Sequence, residues 1–162
     1  FPKTSGQSGL HVLVPLGPGV SFATAKILVE LIGRLLVLRQ PEIATMERRV
    51  DSRQGKVYID TGQTGRSRTI VAPYSVRAVP GATVSTPITW DEVDKKLDPS
   101  AFTIKTVPKR VASHGDPMSG LLSVQPDVPK AVERVARVML GYAKADETVI
   151  RFELPQTNAM VR

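Results

Sequence analysis

The chain has 162 residues, and its 22 Lys and Arg exceed its 15 Asp and Glu, so the formal net charge is +7. This length allows one domain with a sizeable core, and the 41% of hydrophobic residues is ordinary for a globular protein. The absence of cysteine excludes disulfides, thiolate zinc sites and cysteine nucleophiles, and it suits a reducing cytoplasm. The most apolar stretch, residues 27–38, is interrupted by Glu30 and Arg34 and is too short to cross a bilayer. The composition therefore predicts a soluble, cytoplasmic chain without a membrane partner, and the start at Phe1 indicates an origin inside a longer gene product.

The first third of the chain predicts a loop, a strand and a helix. Residues 1–9 are small and polar, typical of a loop, and the apolar run 10–16 is typical of a buried strand. Ser21 can cap a helix over 21–39, and residues 42–49 predict a further short helical segment. The predicted buried face of the long helix follows helical spacing: Ala23, Ile27, Leu31, Leu35 and Leu38, widened by Leu28 and Ile32.

The middle of the chain predicts two more extended runs and little helix. Residues 56–60 combine β-branched and aromatic side chains, and 69–76 form a third extended run. Residues 90–97 predict one or two helical turns, with Thr89 as the cap. Residues 98–126 contain four prolines, so regular structure there should be short.

The last part of the chain predicts a second long helix. Asp127 can cap it, and it should span 128–143 with Val128, Val132, Val135, Met139 and Tyr142 on its apolar face. Residues 147–154 alternate in polarity, as an edge strand does. These elements together predict an α/β (α+β) fold in which helices pack on a mainly antiparallel sheet.

Positive charge is concentrated in one span. Between Arg48 and Arg77, seven basic residues face only Asp51 and Asp60, a local net charge of +5. This basic cluster consists of Arg48, Arg49, Arg53, Lys56, Arg66, Arg68 and Arg77. Such a distribution favours a polyanionic partner, namely nucleic acid or a nucleotide, although a solvated basic surface without a ligand also fits.

The segment SGQSGLH, from Ser5 to His11, has the materials of a phosphate-binding loop. Two glycines and two serines supply flexible backbone, free N–H groups and hydroxyls. His11 begins an apolar strand, where its ring could hydrogen-bond a phosphate oxygen or position a catalytic group. The alternative is a plain linker before a strand that carries a hydrogen-bonded histidine.

Asp60 ends the run KVYID and is followed by a polar loop. A carboxylate at a strand end is a common position for a metal-binding or catalytic group, but an aspartate that only caps a turn also fits. Arg53, Gln63 and Arg77 lie near it in sequence or on the following run. The planar guanidinium of arginine suits bidentate phosphate binding.

Three stretches resemble the archaeo-eukaryotic primase superfamily, most closely the polymerase domain of bacterial non-homologous end-joining DNA ligase D. KTSGQSGLHVLVPL resembles the second motif of that family, and VYIDTGQTGRSRTIVAPYSVR is similar to the third. APYSVRAVPGATVSTPITWDEV and LDPSAFTIKTVPKR are similar to the segment that follows. The resemblance divides the chain into 1–122, the catalytic-domain portion, and 123–162, a helix and tail without an assigned role.

The resemblance implies a role for each candidate residue. Ser5 and His11 would belong to the triphosphate-binding motif, with His11 catalytic, and Asp60 would be a catalytic metal ligand for Mn²⁺ or Mg²⁺. The nucleotide-binding residues would be Ser5, Arg53, Gln63 and Arg77. The implied function is nucleotidyl transfer to broken or gapped DNA ends in DNA repair, with nucleoside triphosphates as substrates and with a ligase and end-binding proteins as partners.

The sequence also departs from the family pattern. Ser8 stands where a basic residue is frequent, and Thr61 and Thr64 replace a tyrosine and an asparagine. The first motif, two aspartates one residue apart, does not occur in these 162 residues. Because two-metal transfer needs several carboxylates, Asp60 alone cannot support it. Two alternatives follow: a polymerase portion whose first motif lies upstream, or a catalytically inactive DNA- or nucleotide-binding module of the same fold.

The resemblance finally predicts a geometry. Ser5, His11, Arg53, Asp60, Gln63 and Arg77 should converge on one cleft, because a triphosphate and its cations need donors and an acid close together. Adjacent strands of one sheet are expected to bring them there. An unrelated basic globular protein would leave them scattered.

Overall fold

A computed structural model describes residues 1–141 of the chain. Within them lie four short strands and three helices: β1 Pro2–Thr4, β2 Leu10–Val12, α1 Phe22–Arg39, β3 Ala44–Thr45, β4 Val57–Tyr58, α2 Val107–His114 and α3 Val128–Met139. Short 3₁₀ turns at Val50–Ser52, Trp90–Glu92, Pro99–Ala101 and Leu121–Ser123 complete the regular structure of this part. The predicted mixture of helix and sheet is therefore confirmed, with far less sheet than expected.

The chain forms two compact units. The first unit combines Phe1–Pro15 with Ile70–Val124, and it contains β1, β2 and α2. The second combines Leu16–Thr69 with residues 125–141, and it contains α1, β3, β4 and α3. These units are defined by spatial contact, so the division at residue 122, which rests on family resemblance, stays a prediction.

Strands β1 and β2 form an antiparallel hairpin in the first unit. Its register places Lys3 opposite His11 and Thr4 opposite Leu10. The hairpin also joins residues distant in sequence, since the amide of Thr4 donates to the carbonyl of Thr86 at 2.9 Å. Residues 1–9 were predicted as a loop, and this is wrong for Pro2–Thr4. These side chains are buried because the segment pairs with residues some eighty positions away. The local sequence gives no sign of this pairing.

The buried side chains of the first unit are unusually polar. Lys3, Thr4, Ser85 and Thr86 have no exposed surface, and Thr83 is nearly buried. Every buried side-chain nitrogen and oxygen in residues 1–141 has a hydrogen-bond partner. The apolar part of this core is small and comprises Val84, Ile88, Val93, Val107 and Met118. Because unpaired polar groups are costly to bury, the hydrogen bonds of these residues must persist for this core to hold together.

In the second unit, α1 packs against α3 and against β3. The hydroxyl of Ser21 accepts from the amide of Thr24 at 3.1 Å, which confirms the predicted cap of α1. Asp127 caps α3 in the same way, through the amide of Lys130 at 3.0 Å. The core of this unit is apolar and contains Ala25, Leu28, Leu35, Ala44, Val128 and Val135.

The buried face of α1 differs from the prediction. Leu28 and Leu35 are buried, whereas Ile27 is 52% and Leu38 62% exposed, so the face is rotated toward Ala25. Apolar residues surround most of this helix, and periodicity alone could not choose between neighbouring faces. Gly33 lies on the buried side, where an added Cβ would be 3.1 Å from Met46 Sδ and from Thr61 Cγ2.

Strands β3 and β4 form a parallel pair, in which Ala44 aligns with Val57 and Thr45 with Tyr58. The sheet is thus not one antiparallel sheet, since two separate pairs of opposite type are present in residues 1–141. The short helical segment predicted for 42–49 is wrong, because Ala44–Thr45 is a strand.

The run 69–76 is not a continuous strand. Tyr74 has a φ of 64°, a left-handed conformation that interrupts an extended segment, and only Val76 forms a bridge, to Val84. The cap predicted at Thr89 is confirmed, because Thr89 and Glu92 form a capping box. Tyr142 and the strand predicted over 147–154 lie outside the described residues. No helix in residues 1–141 is long and apolar enough to cross a membrane.

Candidate functional site

The hairpin loop, residues 5–9, connects β1 and β2. The hydroxyl of Ser5 accepts hydrogen bonds from the amides of Gln7, at 3.2 Å, and Gly9, at 3.1 Å. The Ser5 amide donates to the Gly9 carbonyl at 2.7 Å and closes the turn. Ser5 therefore organises the backbone of the loop, and this role follows from its hydroxyl at the first loop position.

Distant residues hold the hairpin loop from outside. The hydroxyl of Thr83 donates to the carbonyl of Gly6. Arg77 Nη2 donates to the side-chain oxygen of Gln7 at 3.2 Å. Gly6 has a φ of 75°, and a Cβ there would lie 2.5 Å from Arg77 Cγ, so only glycine fits at this approach. The loop, Arg77 and Thr83 thus form one packed assembly.

Of the predicted residues, Ser5 and Arg77 belong to this assembly, and His11 lies in the same unit. His11 lies on β2, partly exposed, and its Nδ1 is 3.1 Å from Lys3 Nζ. Arg77 is not on a third strand as expected, because the isolated bridge formed by Val76 ends there. The amide of Arg77 instead donates to the Thr83 carbonyl at 2.8 Å, which fixes the arginine beside the loop.

The segment that carries Arg77 is anchored through Tyr74. The hydroxyl of Tyr74 donates to Asp116 Oδ1 at 2.6 Å, and burial together with this carboxylate raises the pKa of Tyr74. Nearby, the two terminal guanidinium nitrogens of Arg110, Nη1 and Nη2, contact the Glu92 carboxylate oxygens at 2.6 and 2.7 Å. These bonds depress the pKa of Glu92 despite the opposing effect of its burial, which is the largest single influence.

The aspartate loop, residues 60–65, follows β4 in the second unit. Asp60 is exposed, and its Oδ1 accepts from the Gly62 amide at 2.8 Å. Gln63, which lies in the turn after Asp60, is also exposed. The aspartate therefore has a local turn-forming role that leaves its other oxygen geometrically available to solvent or a cation.

Arg53 is held before β4. Its Nε donates to the Glu47 carbonyl at 3.0 Å, and its Nη2 donates to the Arg48 carbonyl at 2.8 Å. Its guanidinium lies over the ring of Tyr58, 4.0 Å from the centroid. A cation–π contact together with two backbone bonds gives this arginine a defined orientation.

The described residues do not form a complete cation site. No group of three or more His, Cys, Asp or Glu side chains that could hold a metal ion exists in residues 1–141. Asp60 fits as one oxygen ligand of Mn²⁺ or Mg²⁺, but further ligands would have to come from outside this set.

The structure thus assigns Ser5, His11 and Arg77 to one compact unit, and Arg53, Asp60 and Gln63 to the other. The expected means of convergence, adjacent strands in one sheet, is wrong, because β2 and β4 pair in separate sheets. Convergence of all six residues on one cleft stays a prediction.

The sequence analysis missed Lys3, Thr83 and Ser85, which surround the hairpin loop. Lys3 could have been found, because a hairpin closed at residues 5–9 places residue 3 opposite residue 11. Thr83 and Ser85 carry no local signal, since their contacts join positions about eighty residues apart.

Comparison with known proteins identifies the family. Residues 1–118 match the family described as LigD, primase-polymerase domain. The chain belongs to the LigD primase-polymerase family. This confirms the resemblance drawn from the motifs and covers the hairpin loop, the aspartate loop and Arg77.

Individual relatives agree. The bifunctional non-homologous end joining protein LigD of Bacillus subtilis is 36% identical over 118 residues, which are 72% of this chain and 19% of that protein. The multifunctional LigD of Mycolicibacterium smegmatis is 34% identical over 158 residues, 97% of this chain and 20% of that protein. The chain therefore spans about a fifth of the length of these relatives.

A solved structure shares the fold. The polymerase domain from Mycobacterium tuberculosis ligase D, in complex with DNA, matches with a TM-score of 0.68 and 36% identity. The match covers 78% of this chain and 44% of the solved chain.

Proposed function

We propose that this chain is the nucleotide-binding portion of a DNA-repair polymerase that adds nucleotides to DNA ends during non-homologous end joining. Family membership supports this, since the relatives are end-joining proteins and the solved neighbour is a polymerase domain in complex with DNA. The DNA substrate, the nucleoside triphosphate and the cation belong to the proposal.

The observation that carries the proposal is the packed assembly of the hairpin loop with Arg77. Ser5 orders the loop backbone, and the approach at Gly6 fixes the stem of Arg77 beside it. The hydrogen bond from Arg77 to the side-chain oxygen of Gln7 is weaker than a bond to a phosphate, because this acceptor is neutral. A triphosphate would therefore replace Gln7 as the acceptor for Arg77 and would receive the loop's remaining donors.

In the second unit, Arg53 and Gln63 would contact the nucleotide and Asp60 would bind the cation. When bound, Mn²⁺ or Mg²⁺ would polarise the phosphate and activate the attacking hydroxyl. The protein's own contribution is orientation: Arg53 is locked by two carbonyls and a ring, and the turn at Gly62 holds one oxygen of Asp60.

The direct test is binding of a fluorescent ATP analogue in the presence of Mn²⁺. Arg77→Ala should weaken binding about tenfold or more, because a charge-assisted phosphate contact is lost. Lys105→Ala removes an exposed charge from the same unit and should leave binding unchanged. Equal losses in the two variants would indicate general charge attraction and overturn the assignment of Arg77.

A companion test separates the cation from the nucleotide. Asp60→Asn keeps an oxygen that can accept from Gly62 but removes the charge that attracts a cation. The Mn²⁺-dependent part of nucleotide binding should disappear, while binding without Mn²⁺ is retained. An unchanged response to Mn²⁺ would exclude Asp60 as a ligand.

The second candidate function is a DNA- or nucleotide-binding module without catalysis. The incomplete set of carboxylates in residues 1–141 favours it. Primer extension on a DNA with a 5′-phosphorylated overhang distinguishes the two candidates. Extension by the chain, abolished by Asp60→Asn, supports the polymerase, whereas nucleotide binding without extension supports the binding module. An Asp-x-Asp strand encoded ahead of Phe1 would supply the ligands that this set lacks.

A further inference from the structure

Lys3 is a buried lysine in the centre of β1. It has no exposed surface, although lysine is almost never fully buried unless its charge is satisfied. Its Nζ lies 3.1 Å from Nδ1 of His11, the residue opposite it in the hairpin. The same Nζ donates to the hydroxyl of Ser85, which in turn donates to the Thr4 carbonyl at 2.7 Å. The ammonium group is therefore held by an imidazole nitrogen and a hydroxyl oxygen.

The chemistry of these groups determines the direction of the bond. An ammonium group has three donors and no acceptor, so Nδ1 of His11 must accept from it with a lone pair. A neutral imidazole carries one N–H and one lone pair, which leaves the proton on Nε2. The doubly protonated ring is incompatible with this bond, because it has no lone pair to offer.

We propose that Lys3 is a positioning residue that holds His11 in the neutral form with its proton on Nε2. The inference rests on the proposed function for its purpose, since an Nε2–H is the form that can donate to a phosphate oxygen. The tautomer itself does not depend on a nucleotide, because it follows from the contact between Lys3 on β1 and His11 on β2.

The surroundings of Lys3 support the geometry. Burial and the nearby charge of Arg77 lower the pKa of Lys3 to about 8, so the ammonium form persists at neutral pH. Within residues 1–141, the titratable and charged groups that the structure places beside Lys3 are His11 on the paired strand and Arg77. The Ser85 hydroxyl accepts a hydrogen bond from the ammonium group without taking its proton.

The test is a determination of the His11 tautomer by nitrogen-15 NMR at pH 7, without nucleotide. The chain contains two histidines, His11 and His114, so His114→Gln assigns the signals. In the unsubstituted protein we expect Nδ1 of His11 in the range of an unprotonated, hydrogen-bonded nitrogen and Nε2 in the range of a protonated one. A proton on Nδ1 would overturn the proposal, and this result does not depend on whether a variant of Lys3 folds.

Two variants identify Lys3 as the cause. In Lys3→Met the His11 signals should move to a mixture of tautomers, whereas in Ser85→Ala, which keeps the lysine, they should not move. If Lys3→Met fails to fold, a nitrogen–nitrogen coupling between Lys3 Nζ and His11 Nδ1 in the unsubstituted protein is the replacement readout, and its absence counts against the proposal. An unchanged tautomer in folded Lys3→Met also overturns it.

The final arm separates this inference from the proposed function. Addition of ATP and Mg²⁺ should shift the Nε2–H signal of His11. A tautomer that is as proposed but does not respond to ATP would refute nucleotide binding by His11 and leave the role of Lys3 intact. A ring that is protonated at Nδ1 and still responds to ATP would refute the role of Lys3 and support nucleotide binding by His11.

Discussion

The hairpin loop and the aspartate loop each carry candidate site residues, yet they are held in opposite ways. Bonds across 70 to 82 positions of sequence fix the hairpin loop and the strand before it: those of Arg77 to Gln7, Thr83 to Gly6 and Lys3 to Ser85. The aspartate loop is fixed by a bond across two positions, between Asp60 and Gly62. The hairpin loop thus depends on the tertiary fold of its unit, whereas the aspartate loop is a local turn.

This difference predicts unequal sensitivity to mutation. Gly6 of the hairpin loop is buried, and its carbonyl accepts a buried hydrogen bond from Thr83, so disturbing it breaks a bond that water cannot readily replace. No residue of the aspartate loop is buried, and the bond between Asp60 and Gly62 is exposed, so water substitutes for its loss at little cost. Stability and ligand binding should therefore be coupled in the first loop and separable in the second.

The largest effect is expected from Gly6→Ala. Its φ of 75° disfavours any side chain, and the new Cβ would clash with Arg77 Cγ at 2.5 Å and approach the Ser85 amide at 3.1 Å. Strain of about 1–2 kcal/mol from the backbone and about 1–3 kcal/mol from overpacking should together lower the free energy of unfolding by about 3 kcal/mol. Urea denaturation measures this loss.

Gly55→Ala is the matched control. Gly55 has nearly the same φ, 76°, but an added Cβ there meets nothing within 4 Å. Its cost should be limited to the backbone strain, about 1 kcal/mol. Hydrogen exchange localises the damage: Gly6→Ala should expose the amide of Thr4, bonded to Thr86, and spare that of Ile59, bonded to Thr45. Equal losses in the two variants would contradict the comparison.

The next effect is a pH dependence that belongs to Lys3. Its pKa of about 8 lies below the ordinary value of 10.5, so above pH 8 the unfolded chain binds more protons at this residue than the folded protein does. Stability should therefore rise with pH through the window from about 8 to 10.5, by on the order of 2 kcal/mol, as the cost of burying the charge disappears.

Denaturation of the unsubstituted protein and of Lys3→Met at pH 7.5 and 9.5 measures that rise. The variant has no amine to titrate, so subtracting its pH dependence removes the contribution of tyrosines and other groups. Lys95→Met, an exposed lysine of the same unit, should keep the full rise. A rise that survives in Lys3→Met would show that another group causes it.

A smaller contrast concerns the two side-chain acceptors that shape the loops. Ser5→Ala deprives the Gln7 and Gly9 amides of their acceptor and should cost about 1 kcal/mol of unfolding free energy. Asp60→Asn keeps an acceptor for Gly62, and its cost should stay below about 0.5 kcal/mol. Thermal denaturation of both variants checks the order, and a larger loss for Asp60→Asn would reverse the comparison.

The same contrast explains what the sequence could predict of the fold. The caps at Ser21, Thr89 and Asp127 were correct because the capping residue and its partner lie within three positions. Strand β1, Pro2–Thr4, was missed because its burial comes from pairing with residues near 86. The break at Tyr74 was missed because a positive φ in a tyrosine is enforced by distant bonds, not by local preference.

For the candidate site, the sequence singled out residues whose roles stay predictions, and it did not indicate the contacts that hold them in place. Asp60 was selected from KVYID as the end of a strand, but β4 ends at Tyr58 and Asp60 instead forms a local turn with Gly62. The hairpin loop was recognisable from its glycines and serines, but the residues that hold it, Thr83 and Ser85, were not. Arg77 was selected by resemblance to the family, and its contact with Gln7 could not follow from spacing over seventy positions.

The smallest effect concerns DNA and the basic cluster. If its side chains contact phosphates, the affinity for a DNA with a 5′-phosphorylated overhang should fall steeply with salt, because each contact releases bound counterions. Arg68, exposed in the cluster after the aspartate loop, would account for one contact. Arg68→Ala should weaken binding by a few-fold and make the slope of log affinity against log salt shallower by about 1.

Arg39→Ala distinguishes contact from general attraction. Arg39 is an exposed arginine at the end of α1, in the same unit but outside the basic cluster, so its loss changes the net charge equally. Long-range attraction depends on net charge and would weaken alike in both variants, whereas counterion release counts only phosphates that are contacted. Fluorescence anisotropy over a salt series should therefore show a changed slope for Arg68→Ala and the original slope for Arg39→Ala. Identical slopes in all three proteins would mean that the basic cluster attracts DNA without contacting it at Arg68.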